Sequence, residues 1–282
     1  MVYDIDFREC AVPDDDVAAN MVEQGPDTLG AFVVPTTASR ITKILIGLGG
    51  VSAAQDAVLA ATSAVHLTGG GIKLPEGWFP GPMHTESGAA ATSAGYAWEA
   101  PMVYKTNIPV QPGGLFNATA WLYGEDLADA HLICAVEYDG FPGRITDCDM
   151  RESDIGAAAN TFYVLNDRGG AVEGDFRPAY NKIVEIVCGA APDVAGGDVG
   201  FNVMPVFNLS GPGLVTAGNY DFPANTGFLL GDTDISGPGQ ITNLVRYEVP
   251  GIAVKRGDSI RAQGMNIESI QASHAILGLC YG

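Results

Sequence analysis

The residues able to do chemistry are few and scattered. Four histidines occur, His66, His84, His131 and His274, and none lies within a few residues of another. That spacing excludes the paired-histidine patterns that hold zinc on one helix face or strand. Asp147-Cys148-Asp149, followed by Glu152 and Asp154, gathers hard oxygen donors of the kind calcium takes. Asp232-Thr233-Asp234 is a sparser second candidate. Neither stretch continues into an Asp-x-Asp-x-Asp-Gly loop with its distant Glu, so solvated loop acids are the simpler reading and no cofactor is required. Trp78, Trp98 and Trp121 could line a sugar site, and two carboxylates set apart in space could hydrolyse a glycoside. No Gly-x-Ser-x-Gly elbow and no phosphate-binding P-loop occurs. Gly47-Leu48-Gly49-Gly50 lacks the spacing of a dinucleotide fingerprint and reads as a turn. The five cysteines, Cys10, Cys134, Cys148, Cys188 and Cys280, are odd in number, widely spaced and free of any Cys-x-x-Cys pair. Neither a disulfide framework nor a zinc site is expected, and Cys134, Cys188 and Cys280 read as small core residues. The expectation is a protein without a catalytic centre.

The elements that must carry these residues are β-strands. The chain has 282 residues, 47% of them hydrophobic, with 37 glycines and 17 prolines that favour many turns over long helices. Its 33 acidic against 14 basic residues give a formal charge of −19. Such a surface stays solvated and disfavours nucleic acid, whose phosphates call for basic groups. The N-terminus, Met1-Val2-Tyr3-Asp4-Ile5-Asp6, lacks the basic start and apolar run of a signal peptide, and no tract is long enough to span a bilayer, so a soluble protein is expected. Residues 1–29, with Asp14-Asp15-Asp16, read as an acidic arm. Residues 30–142 read as a first β unit, 143–173 as a connector and 174–282 as a second β unit. Within the first, Val51–His66 reads as a short helix because Ala, Leu and Val recur there without Gly or Pro. Residues 67–101 and Ser210–Gly239 read as loops.

The two units resemble one another. Gly30-Ala31-Phe32 matches Gly174-Asp175-Phe176, and Arg40–Gly47 matches Lys182–Gly189, with Ile41, Ile44 and Gly47 meeting Ile183, Ile186 and Gly189. Val110-Gln111-Pro112-Gly113 matches Val254-Lys255-Arg256-Gly257. Phe116, Ala118 and Ala120 then alternate with polar residues as Ile260, Ala262 and Gly264 do, the signature of a half-buried strand. His131–Tyr138 matches His274–Tyr281, which gives His131 and His274 equivalent strand positions and a repeated packing or hydrogen-bonding role. A unit of this size suits an eight-stranded jelly roll, so the fold class expected is all-β, two tandem jelly-roll sandwiches.

With Arg40–Gly47 and Lys182–Gly189, Val110–Leu122 and Val254–Asn266, and His131–Tyr138 and His274–Tyr281 as the repeated blocks, the chain resembles the double jelly-roll major capsid proteins of tailless icosahedral viruses. The resemblance implies two barrels standing side by side and a homotrimer that presents six similar barrels. Such pseudo-hexamers tile a virion shell, often around an internal membrane, with minor capsid or penton proteins as further partners. It also implies synthesis in the host cytoplasm, outer loops at Gly69–Thr92 and Ser210–Gly239, an arm at 1–29 that orders against a neighbour, and no direct contact with the genome. The chain is short for that family. The alternative is a carbohydrate-binding or carbohydrate-active β-sandwich. A single-barrel trimeric ligand of the tumour-necrosis-factor type and a two-domain cupin rank below it, the latter because no paired histidines follow Gly257-Asp258.

Overall fold

In the computed structural model the described residues are 4–11, 17–22, 30–50, 58–87, 101–124, 130–156, 158–192, 201–203, 205–216, 220–224, 227–229, 244–267 and 272–282. They contain strands and no helix. The first half carries β1 (Asp4–Ala11), β2 (Ala19–Asn20), β3 (Phe32–Val33), β4 (Arg40–Gly50), β5 (Val58–Thr68), β6 (Trp78–Ser87), β7 (Met102–Pro109), β8 (Leu115–Gly124) and β9 (Ala130–Tyr138). The second carries β10 (Asp147–Ile155), β11 (Tyr163–Leu165), β12 (Asp167–Arg168), β13 (Ala171–Val172), β14 (Lys182–Pro192), β15 (Phe201–Val203), β16 (Pro205–Ser210), β17 (Tyr220–Pro223), β18 (Gly227–Leu229), β19 (Val245–Ala253), β20 (Arg261–Asn266) and β21 (Ser273–Tyr281).

Pairing between the named strands is antiparallel throughout, and the order of strands recurs. One sheet of the first half runs β1-β9-β4-β7, and its counterpart in the second half runs β10-β21-β14-β19, extended at the β10 edge by β12 and β13. The other sheet runs β2-β8-β5-β6, with β3 also on β8, and its counterpart runs β11-β20-β16-β17. Register recurs as well. Ile41 faces Tyr138 and Ile183 faces Tyr281, and each pairing slips by one residue at the next step, between Ile41 and Lys43 and between Ile183 and Glu185. Gly71 N–H donates to Leu115 O and Gly213 N–H to Ser259 O, while Tyr104 O–H donates to Pro80 O and Tyr247 O–H to Pro223 O.

The four sheets stack as layers, and burial follows from what lies on each side. Strand β7 alternates between buried and more exposed residues, because one face meets the core and the other meets water. Strand β10 is buried on both faces over most of its length. Its sheet touches β5 and β6 of the first half on one side and β11, β16 and β20 on the other. One apolar cluster fills the first half and crosses to Cys148, Met150, Val187 and Ile276; the other fills the second half around Phe176, Phe207, Leu277 and Tyr281.

Several expectations are corrected. Of the helix read over Val51–His66, residues 58–66 belong to β5, which is bonded to β6 on one side and β8 on the other; residues 51–57 lie outside the described residues. Ala61, Thr62, Ser63, Ala64 and Val65 are all buried, and a run buried on both faces carries no alternation to distinguish strand from helix. Gly47–Gly50 is not a turn but the end of β4. The arm at 1–29 contributes β1, paired along its length with β9. The connector at 143–173 carries β10 to β13, and the loop at 67–101 carries β6. Cys148 and Cys280, read as unpaired, form a disulfide; they face each other across β10 and β21, a neighbour relation hidden by a sequence separation of 132. Cys10, Cys134 and Cys188 are free and buried.

Candidate functional site

The densest gathering of charged side chains lies along β10, where it meets the first half. Successive residues of a strand point to opposite faces, so Asp147, Asp149 and Arg151 leave on one side and Cys148, Met150, Glu152 and Asp154 on the other. The four acids singled out as oxygen ligands are therefore divided. Their oxygens are engaged by protein donors, and no cluster of three metal-ligating side chains occurs among the described residues.

Asp147 receives the backbone N–H groups of Glu76 (3.1 Å), Gly77 (2.9 Å) and its neighbour Cys148 (2.9 Å). Burial pushes its pKa up to about 7, against the pull of those three donors. Gly77 adopts φ +72, and a side chain there would collide with Leu67 O, so glycine is what lets its N–H turn towards the carboxylate. Asp149 pairs with Arg151 at 2.8 Å and with Arg168 at 2.9 Å, and Arg168 reaches on to Glu76 at 2.8 Å. Arg151 donates to Gly174 O at 2.7 Å and lies over the Phe176 ring. Glu152 accepts from Trp121 Nε1 and from Gly169 N–H, both at 2.9 Å. Asp154 accepts from His274 Nδ1 at 2.9 Å and Tyr123 O–H at 3.0 Å; the His274 bond holds its carboxyl below the usual range.

The remaining candidates also serve packing. His66 stacks on Trp78 with ring centroids 4.2 Å apart and donates to Glu76 O, and burial lowers its pKa. His131 approaches Glu9 of β1 at 3.6 Å, much as His274 approaches Asp154 of β10. Trp78 and Trp121 are buried and present no open face to a sugar. Trp98, Asp232 and Asp234 lie outside the described residues, as does the side chain of His84.

The first half contains the same charged device. Arg8 is almost wholly buried, pairs with Asp6 at 2.7 Å, donates to Ala31 O at 2.7 Å and lies over the Phe32 ring. A residue-by-residue reading could have found it. Asp4-Ile5-Asp6-Phe7-Arg8-Glu9 and Asp147-Cys148-Asp149-Met150-Arg151-Glu152 share Asp-x-Asp-x-Arg-Glu, although the first lies in what reads as an arm and the second in what reads as a connector. In each, the guanidinium covers the ring of a Gly-x-Phe triplet and bonds that triplet's backbone, at Ala31 O or Gly174 O. This arrangement fastens the first strand of each half to the segment ahead of its second long strand, β4 or β14. Apart from the buried Arg8 Nε, which has no hydrogen-bond partner, its donors and acceptors meet one another, which makes it a structural lock. Comparison with protein-family models, with curated proteins and with solved structures finds no match to this chain.

Proposed function

We propose that this chain is the building block of a protein shell: two tandem jelly rolls that act through self-assembly, as the major capsid protein of a tailless icosahedral virus does. The observation that carries the reading is the repeated strand order. Two four-stranded sheets ordered β1-β9-β4-β7 and β2-β8-β5-β6, followed by two in the same order and register, is the pattern a duplicated eight-stranded jelly roll produces. Stacking the two barrels through a broad apolar and charged seam fixes their relative orientation, as a shell unit requires. On this reading three chains form a pseudo-hexamer with six similar barrels and covered strand edges, and larger shells grow from it. Minor capsid proteins and an internal membrane are further partners. A formal charge of −19 leaves genome condensation to another component. No observation favours the carbohydrate reading, since both described tryptophans are consumed by packing.

The test is sedimentation and negative-stain microscopy of the purified chain. Trimers, hexagonal capsomers or closed shells are expected. A monomer at every concentration would remove the proposal, and selective retention on a glycan array would replace it with the carbohydrate reading.

A further inference from the structure

The shell reading leaves open which surfaces of successive copies meet, and the seam inside one chain supplies the answer. Strand for strand, the outward face of the β1-β9-β4-β7 sheet corresponds to the face of the β10-β21-β14-β19 sheet that the first half covers. Position by position the strand registers match Ile5 to Cys148, Phe7 to Met150, Ile133 to Ile276 and Leu45 to Val187. Cys148, Met150 and Ile276 are 0% exposed because β5 and β6 lie on them, whereas Ile5, Phe7 and Ile133 are 54%, 44% and 43% exposed. The chain thus ends in an apolar sheet face whose twin is buried.

The complementary surface is also left over. In the seam, Pro80 of β6 sits against Gly278, Trp121 of β8 bonds Glu152, and Tyr123 bonds Asp154. The counterparts of Pro80, Trp121 and Tyr123 are Pro223, Met265 and Ile267. Pro223 and Ile267 are exposed and Met265 is half-buried. One half of the molecule therefore offers a socket without a plug, and the other a plug without a socket, both made to the pattern of an interface that already exists.

We infer that the β16-β17-β20 face of one copy docks on the β1-β9-β4 face of the next, reproducing between chains the contact made within each chain. The inference rests on the two-barrel reading and names the partner surface for it. A heterologous contact of this kind forms a ring when its rotation closes. Ala135 stands where Gly278 stands; a methyl at Gly278 would lie 2.6 Å from the Pro80 ring, so the proline of the next copy must sit farther from the sheet and the contact between chains is looser than the one within a chain. Glu9 stands where Glu152 stands and meets Met265 in place of an indole N–H.

The experiment uses the full chain. Phe7→Asp with Ile133→Asp places charge on two outward positions, so far-UV circular dichroism and the urea midpoint stay as in the parent. Association, read by sedimentation over a concentration series, weakens by roughly thirtyfold or more, the loss expected from removing a central apolar anchor. In a second arm, Ala135→Cys and Pro223→Cys chains are mixed and oxidised with copper phenanthroline. Cross-linked pairs appear in the mixture and not with either variant alone. If the parent associates, the double variant associates equally and the mixture gives no cross-link, the docking assignment is overturned while the shell reading stands. If the parent never associates, both fall.

Discussion

Asp147 sets two opposed effects against each other, and its titration decides between them. Three backbone N–H groups point at its carboxylate, which favours the charged form, while complete burial favours the neutral one. If burial wins, the folded-state pKa lies at about 7, against 3.8 for an ordinary aspartate. Between those values the folded protein keeps a proton that the unfolded chain has released. Stability must then fall as pH rises through this window. The contribution is fully present below about pH 4 and lost above about pH 7. Three pKa units at ~1.4 kcal/mol each make the change about 4 kcal/mol.

The other 32 acids also titrate, so the comparison is between parent and Asp147→Asn, in which this group is silenced. Urea unfolding is followed by tryptophan fluorescence at several pH values from 4 to 8. The parent's stability relative to the variant should drop by about 4 kcal/mol across the series. The variant is also weaker at pH 4, because an amide N–H₂ set against the N–H of Glu76 or Gly77 leaves a donor unsatisfied. A difference that is flat, or that grows with pH, would refute the reasoning. It would mean that the three N–H groups outweigh burial and hold the carboxylate charged throughout.

Other substitutions separate local from global effects. Arg8→Met and Arg151→Met should each cost about 3 kcal/mol in urea unfolding, since each strips a carboxylate (half-buried Asp6 or buried Asp149) of its partner and a ring of its cation. The cost at Arg151 should be the smaller, because Arg168 still holds Asp149, and the two effects should add in the double variant because they share no partner. Reduction of Cys148–Cys280 opens a closure of 132 positions and should lower stability by up to about 5 kcal/mol, read as a drop in thermal midpoint that a Cys148→Ala, Cys280→Ala chain does not show. Gly77→Ala places a methyl 2.3 Å from Leu67 O and should be severely destabilising in thermal melts. Gly113→Ala, at the same φ of +72 but with Thr36 Cγ2 at 4.0 Å as its nearest neighbour, should cost only about 1 kcal/mol.

The all-β architecture was legible wherever a strand has one wet face. Phe116, Ala118 and Ala120 alternate with polar residues in β8, and that alternation revealed both the strand and its likeness to β20. The reading failed where burial removes the alternation. Strand β5 is covered on both faces and reads as a helix in sequence, and β10, also covered on both faces, reads as a connector because its acids look solvated in one dimension. Asp154 is indeed exposed, but Asp147, Asp149 and Glu152 are not, because Arg151, Arg168, Trp121 and the N–H groups of Glu76 and Gly77 converge on them from residues up to 71 positions away. The disulfide was hidden for the same reason: Cys148 and Cys280 become neighbours only when the first and last strands of the second half pair.

What differs between the halves follows from what each strand face meets. The faces turned into the core of each half keep the same residue types: Asp6 and Arg8 against Asp149 and Arg151, Phe32 against Phe176, Tyr138 against Tyr281. These positions answer to the same neighbours in both halves, so the same chemistry serves. The opposite faces diverge. Where the first half has Ile5, Phe7 and Ala135, the second has Cys148, Met150 and Gly278. The second set is the one that must fit beneath another sheet: Gly278 leaves room for the Pro80 ring, and Cys148 is tied to Cys280 in the same layer. A seam within a chain forms once, at high effective concentration, and can be close-packed and cross-linked. A contact between chains must form from dissolved subunits that stay soluble beforehand, which favours an apolar patch small enough to remain hydrated, edged by Glu9, Lys43 and His131. The asymmetry between the two faces is therefore what the proposed head-to-tail docking of two-barrel chains would require.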